Sequence, residues 1–419
     1  MSKIESMKIV VIPATYNEKG NIDRLITILE EEVFPKIKNH DMHILVADDS
    51  SPDGTADEVK KLMKKYRNLD VNVGPKKGLG AAYIRAMSYA IEKQDADIVL
   101  EMDADTQHDP RSIPAFLEKI DNGADIVIGT RYSDGGSMPK NWPLHRKAFS
   151  VIANLIIRII TFRFAVHDWT GGFRAIRKEV FLKEKEKVRS FQGYTFQVAF
   201  LYKSLIDKFA VAEVPIHFKD RTLGKSKIAP LEYIINLLKY VISERIYELK
   251  RFIKFLIVGG TGFIIQVIAQ ETSVQLGLSF WLAIFLSSGI SILYPHEDIN
   301  ALSQAIGAGI GGESAIISNF LFNNFWTFSD TLALKQKSSF IMRLLKFNTT
   351  SLLSVVIQSG AVWIAVKILG TTVSVFGFPI VTRILVLIPA ILFLVVPINY
   401  LIYNKIIWKT QNLKNGKTA

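Results

Sequence analysis

The chain has 419 residues, enough for two domains, carries a formal net charge of +12 and contains no cysteine. The missing cysteine excludes disulfides and thiolate metal sites, and the basic residues gather beside apolar helices with no nucleic-acid motif, so the charge points to anionic lipid or an anionic substrate. Hydrophobic residues make up 49% of the whole, unevenly: to about Lys250 the chain reads as a soluble α/β domain, and from Phe252 as long apolar stretches with short polar joints, a membrane pattern.

The N-terminal MSKIESMKIVVIP enters a strand almost at once, leaving no room for a signal peptide, so the first domain is expected on the cytoplasmic side. Lys8 to Ile12 is a run rich in β-branched residues, followed by a turn and a helix from about Asn21 to Glu32. His43 to Ala47 is a second strand, ending in Asp48-Asp49-Ser50-Ser51-Pro52-Asp53-Gly54. A Lys-rich helix, the turn Gly74-Pro75-Lys76-Lys77-Gly78-Leu79-Gly80 and a helix through Ala90 follow. Ile98 to Met102 is a third strand, ending at Asp103-Ala104-Asp105, and Ile126 to Gly129 a fourth, ending at Thr130-Arg131-Tyr132. Strands alternating with helices predict a largely parallel sheet covered on both faces, with ligands at the carboxyl ends of the strands. Three of these four ends carry acidic residues and the fourth an arginine.

Ile228 to Lys250 shows helical spacing at Leu231, Ile234, Ile235, Leu238, Val241, Ile242, Ile246 and Leu249. Such a helix either packs on the first domain or lies in the membrane interface as a connector. Beyond it, Phe252 to about Ala269, a region from Leu278 to Phe328 broken by Tyr294-Pro295-His296-Glu297-Asp298, Leu344 to about Leu369, and Ile380 to about Ile402 are each long enough to cross about 30 Å of hydrocarbon. Lys335, Lys337, Arg343 and Lys346, and then Lys405, Lys409, Lys414 and Lys417, put both basic clusters inside. That requires an even number of crossings, taken as four, with 284–312 as an insertion. The domains are then 1–227, a connector helix 228–250, a membrane domain 251–408 and a basic tail 409–419.

Two carboxylates at a strand end, Asp103 and Asp105, repel each other unless a cation joins them, and Mg²⁺ or Mn²⁺ bridges such oxygens to phosphates. Asp-X-Asp is common in solvated turns; its place after an apolar strand gives it weight. Asp48 and Asp49 are placed to accept hydrogen bonds from a base or ribose, with Asp53 capping the next helix. Tyr16, Asn17 and Glu18 follow the first strand, where they can stack on or bond to a base. Arg131, Arg146, Arg221 and Lys227 are candidate phosphate binders, the last two in a basic loop able to close over a diphosphate. His108, His145, His167 and His217 are too scattered for a metal site and read as structural or surface residues.

In this order these residues resemble glycosyltransferase family 2, and most closely its dolichyl-phosphate mannose synthase branch. The carriers are Thr15-Tyr16-Asn17-Glu18, Asp48 to Asp53, Lys77-Gly78-Leu79, Asp103 to His108, Ile128 to Tyr132, Asn141-Trp142-Pro143, Gly171-Gly172-Phe173, Gly193-Tyr194 and the Arg221 to Lys227 loop. The second half resembles the GtrA-like membrane domain, through Phe255 to Gly259, Glu313-Ser314, Asn319-Phe320, Trp326-Thr327-Phe328 and Leu345-Lys346-Phe347. The resemblance implies a GT-A fold (Rossmann-like, mostly parallel sheet) followed by an all-α transmembrane domain of about four helices. It implies that Pro13, Ala14, Tyr16, Glu18, Ala47 and Asp49 hold the nucleoside, and that Asp103, Ala104, Asp105 and Gln107 meet diphosphate, with Asp103, Asp105 and Gln107 on the metal. Arg131, Arg146 and Ser150 would meet the lipid phosphate, and Arg131, Arg221 and Lys227 the diphosphate, with Asp105, Arg131 and Arg146 as the catalytic set. Two departures stand out: Ala14 precedes Thr15 where the family usually has proline, and Gln197 and Ala199 fall where an acidic residue often follows Gly193-Tyr194.

The activity implied is inverting transfer of mannose from GDP-mannose to dolichyl or another polyprenyl phosphate, with Mg²⁺ or Mn²⁺ as cofactor and no nucleic acid or obligate protein partner. A phosphate acceptor is already anionic and needs no strong general base. The chain would sit in the cell membrane as a multi-pass protein, the second half holding the prenyl chain. Competing readings are the same chemistry with UDP-glucose, a lipid-linked-sugar flippase with a sensor domain, and an inactive binding scaffold. Against the flippase stands the scarcity of ionisable residues deep in the spans.

Overall fold

The computed structural model describes residues 6–191, 193–219, 231–290, 299–329, 339–370, 372–375, 378–381 and 391–408, together with Leu385 and Pro389. The chain divides into two compact units, Met1–Arg245 and Ile246–Ala419.

In the first unit, β1 (Lys8–Thr15), β2 (Asp41–Asp48), β3 (Leu69–Val73), β4 (Ile98–Asp103), β5 (Ile126–Thr130), β6 (Arg174–Arg177) and β7 (Val211–Pro215) form one sheet in the order β3-β2-β1-β4-β6-β5-β7. Its pairings are parallel except those of β6, which runs antiparallel to β4 and β5. The four expected strands are present. The other three are too short or too polar (LDVNV, RAIR, VAEVP) to register as apolar runs.

The strands read as continuous apolar runs because both faces are buried. Ile9, Val11, Ile44, Val46, Ile98 and Leu100 share one core with Ile22, Leu25 and Phe116. Their alternate neighbours Val10, Ile12, Leu45 and Val99 share the other with Tyr83, Met87, Phe181 and Phe200. Each fully buried large side chain contributes about 1.5–3 kcal/mol, so this two-sided pattern fixes which residues are left at the strand ends. The helix α1 (Leu79–Gln94) starts after Gly78, whose φ of 94° excludes most side chains. Its Gly80 lies so close to the Phe191 carbonyl and the Phe196 ring that a Cβ there would meet them at 2.8 Å.

A long helix, Leu231–Gln275, spans the boundary between the units. Within the first unit its Leu237, Tyr240 and Val241 are buried in the second core while Ile235 and Ile242 stay exposed. One side of this segment therefore packs on the first domain, and another is left apolar and open.

The second unit is helical, with one departure from the all-α expectation among the described residues. Thr372–Val375 and Phe378–Val381 pair as a short antiparallel hairpin, so Ile380, where the last apolar stretch was expected to begin as a helix, lies in a strand. The stretch 284–312, expected as an insertion of uncertain form, is helical at both of its described ends. Helices Leu278–Ile290 and Ile299–Phe322 occupy its two ends, joined by a hydrogen bond of 3.0 Å between the Ser279 and Ser303 hydroxyls, and the break at 294–298 lies outside the described residues. By length and composition, Ile234–Gln275 can cross a membrane. Phe320, Phe328 and Phe347, from three separate sequence motifs, converge on Trp408, which stacks on Phe328 at 4.5 Å, and Phe255 joins the same cluster through Tyr403 at 5.6 Å.

Candidate active site

Strand register assembles the nucleoside and acidic ends into one row. Ala14 of β1 lies opposite Ala47 of β2 on one side and Asp103 of β4 on the other, with Pro13 opposite Met102. Pro13 and Ala47 are buried and Ala14 is partly so. Tyr16, just past β1, is 40% exposed and carries the Lys76 ammonium 3.4 Å above its ring centre. The two aspartates after β2 divide. Asp48 is fully buried and closes the turn, accepting hydrogen bonds from the Thr15 hydroxyl (2.8 Å), the Ser51 hydroxyl (2.6 Å) and the Ser51 N–H (2.9 Å). Asp49 instead meets Arg85 at 3.1 Å, with Lys76 within electrostatic reach; burial pushes its carboxyl up and Arg85 opposes the shift. Arg85 was not singled out from the sequence, although it is the lone charge between Leu79 and Ile91. It also bonds Asn72 at 2.7 Å, fixing the pocket wall. The Glu18 carboxylate accepts from the Asn21 amide at 2.7 Å.

At the end of β4 the Asp103 side chain is 34% exposed, while Ala104 and Asp105 are buried. Asp105 accepts the Gln107 N–H at 3.1 Å. Gln107 is tied to the segment that follows β7, its side-chain amide donating to the Lys219 carbonyl and its own carbonyl accepting the Lys219 N–H, both at 3.1 Å. Among the described residues no group of three or more His, Asp or Glu side chains gathers as a closed metal site. The site is nonetheless negative: burial, then Asp103, Glu101 and Asp105, push the Tyr83 phenol well up. Hard oxygen donors at an open strand end fit a divalent cation whose remaining ligands come from substrate phosphate. Asp103, Asp105 and Gln107 would supply the protein side.

His108 and Phe218 connect this end to the basic one. The His108 ring is buried, stacks on Phe173 at 5.1 Å and meets the Phe218 edge at 5.4 Å. Its Nδ1 accepts the Asp103 N–H at 3.0 Å, and Asp105, Arg131 and Asp168 all lie within electrostatic reach. Phe218 also packs under the Arg131 guanidinium at 5.3 Å and against Trp142 at 5.9 Å, and Trp142 carries the Arg146 guanidinium 3.7 Å above its ring. The Tyr132 and Ser150 hydroxyls bond at 2.6 Å. Arg131, Arg146 and Ser150 are thus brought together beside the acidic pair. Arg131 is paired with Asp168, which sequence reasoning passed over although it opens the run Asp168-Trp169-Thr170-Gly171-Gly172. Phe218 gave no sequence signal. Arg221 and Lys227 lie outside the described residues.

Burial lowers the His108 pKa to about 4. A depressed histidine gives stability that is full above the free value of 6.5 and is lost as pH falls towards 4, because the unfolded chain then binds the extra proton. In chelator-treated protein, roughly 3 kcal/mol should disappear across that range. His108→Gln should flatten the pH dependence of Tm there. An unchanged slope would mean the ring is not buried neutral.

Residues 9–183 match the family model described as Glycosyl transferase family 2, and residues 296–408 that of the GtrA/DPMS, transmembrane domain. The chain is 34% identical over 366 residues to the dolichol-phosphate mannosyltransferase of Pyrococcus furiosus, covering 85% of this chain and 90% of that one. It is 38% identical over 224 residues to the polyprenol monophosphomannose synthase of Mycolicibacterium smegmatis, covering 53% and 80%. Among solved structures, mannosyl-3-phosphoglycerate synthase from Rubrobacter xylanophilus is similar over 58% of this chain and 75% of that chain, with a TM-score of 0.43 and 19% identity.

Proposed function

The chain belongs to glycosyl transferase family 2, with a GtrA/DPMS transmembrane domain in its second half, and from that premise we propose that it transfers mannose from GDP-mannose to a polyprenyl phosphate such as dolichyl phosphate. The observation that carries this reading is the joining, through His108 and Phe218, of a carboxylate end suited to a metal-bound diphosphate with an arginine end suited to a second phosphate. Two named relatives, a dolichol-phosphate mannosyltransferase and a polyprenol monophosphomannose synthase, support the sugar and the lipid.

In the reaction an acceptor phosphate oxygen forms a bond to the anomeric carbon, and the bond from that carbon to the diphosphate breaks, its electron pair leaving with GDP. Tyr16 and Asp49 orient the nucleoside, with Arg85 fixing Asp49. Asp103, Asp105 and Gln107 would hold a Mg²⁺ or Mn²⁺ ion, which would supply positive charge for the departing diphosphate. Arg131 and Arg146 hold the acceptor phosphate opposite the leaving group, which gives inversion. No histidine takes a proton: His108 is buried with its Nδ1 occupied, and the acceptor is an anion already.

The helix that carries Arg146 and Ser150, Leu144–Thr161, supports a lipid-borne acceptor. Leu144, Phe149, Ile152, Leu155 and Ile159 are exposed along it, with Arg146, Lys147 and Arg158 interleaved, a composition suited to a bilayer interface. The membrane half crosses the cell membrane four times, with the first unit and residues 409–419 on the cytoplasmic side.

The test is incubation with a short dolichyl phosphate, Mg²⁺ or Mn²⁺ and, in parallel, GDP-mannose or UDP-glucose, read by mass spectrometry of the lipid. GDP-mannose should add one hexose. Product from UDP-glucose alone would reassign the donor, and an unchanged lipid in every tube would remove the transferase reading.

A further inference from the structure

Arg131 is held before any phosphate arrives. Its Nε and Nη2 donate to Asp168 Oδ2 and Oδ1 at 2.7 and 2.8 Å, its backbone N–H to Oδ2 at 3.2 Å, and Nη2 also to the Thr170 hydroxyl at 3.0 Å. Asp168 has no exposed surface. Burial alone would raise its carboxyl, but Arg131, and more weakly Arg174, hold it below the usual range.

The segment bearing Asp168 is pinned from several directions. Arg174, fully buried, donates to the carbonyls of Gly171 (2.8 Å), Trp169 (3.0 Å) and Gln197 (2.7 Å), and lies 3.6 Å from Glu101, two residues before Asp103. Glu213 accepts the His167 N–H at 2.6 Å. Asn154 accepts the Trp169 N–H at 2.7 Å and donates to the Ser150 carbonyl at 2.9 Å, linking the segment to the helix of Arg146 and Ser150. A free arginine carries large rotamer entropy that phosphate binding would have to remove; a bidentate carboxylate with this backing removes it in advance.

We propose that Asp168 is a positioning residue for the transfer reaction, its buried carboxylate holding the Arg131 guanidinium in the orientation that meets the acceptor phosphate. The proposal rests on the acceptor-phosphate role given to Arg131 above. If Asp168 acts through Arg131, removing it matters only while Arg131 is present; a pair that merely stabilises the fold would not behave so.

The test is a double-mutant cycle on the full chain with Asp168→Asn, Arg131→Ala and both together, measuring kcat and KM separately for polyprenyl phosphate and GDP-mannose, with GDP binding by calorimetry. Asp168→Asn should lower kcat/KM for the lipid by about 10- to 100-fold. KM for GDP-mannose and GDP affinity should stay within about twofold, and in the Arg131→Ala background the same change should cost less than about twofold. Should Asp168→Asn fail to fold, Thr170→Val, which removes one bond to Nη2, should raise the lipid KM alone by a few-fold. Equal losses from Asp168→Asn in both backgrounds, GDP binding lost in step, or a Thr170→Val with an unchanged lipid KM would overturn the assignment while leaving the proposed function standing. A wild-type protein without lipid turnover would overturn both.

Discussion

Asp105→Ala is expected to lower mannosyl transfer by about 10³-fold or more, the size of effect seen when charge stabilisation at a leaving group is removed. Asp105 is buried beside the partly open Asp103 and is held by the Gln107 N–H. Its oxygens are therefore preorganised and need no rearrangement when a cation and diphosphate bind. Asp105→Asn keeps the volume and one oxygen but loses the charge, and should cost nearly as much. That pairing separates charge from packing, because a purely structural aspartate would be rescued by the isostere. The rates are read as hexose-bearing lipid formed per minute across a Mn²⁺ titration, with Tm recorded for each variant. Asp105→Asn turning over within about tenfold of wild type would end the metal assignment.

Arg146→Ala should raise KM for polyprenyl phosphate by about 10- to 100-fold while KM for GDP-mannose stays near wild type, the range expected when a charged hydrogen-bond partner is removed. The Arg146 guanidinium lies 3.7 Å over the Trp142 ring, which packs against the Phe218 that also supports Arg131. Lysine has no plane to stack, so Arg146→Lys should recover only part of the loss. Trp142→Leu should move the same parameter in the same direction by releasing the guanidinium. Initial rates over a matrix of both substrates distinguish these outcomes; a rise in the GDP-mannose KM would assign Arg146 to the donor.

The acidic clusters were legible because they stand where buried apolar strands stop, and both the strand and its end show in the linear pattern. The pattern could not separate Asp48 from Asp49. They are neighbours of one chemical type, yet one faces Thr15 and Ser51 inside the turn and the other faces Arg85. Nor could it show that Arg131 is committed to Asp168, since the two stand 37 positions apart in the chain. The antiparallel β6 went unseen because RAIR has two apolar residues, and its arginine, Arg174, serves as a buried brace. In the membrane half, the sequence left the form of 284–312 open, because hydropathy records length and apolarity and says little about how helices such as Leu278–Ile290 and Ile299–Phe322 pair.

By itself, the sequence determined that an α/β domain with acidic strand ends precedes an apolar, membrane-type half, for these follow from residue spacing and local transfer free energies. Only the tertiary structure decided that the arginines stand beside the aspartates, that Phe218 and His108 join them, and that Asp168 holds Arg131. Those are contacts between residues far apart in the chain, fixed by strand register and side-chain packing, and local periodicity carries no information about either.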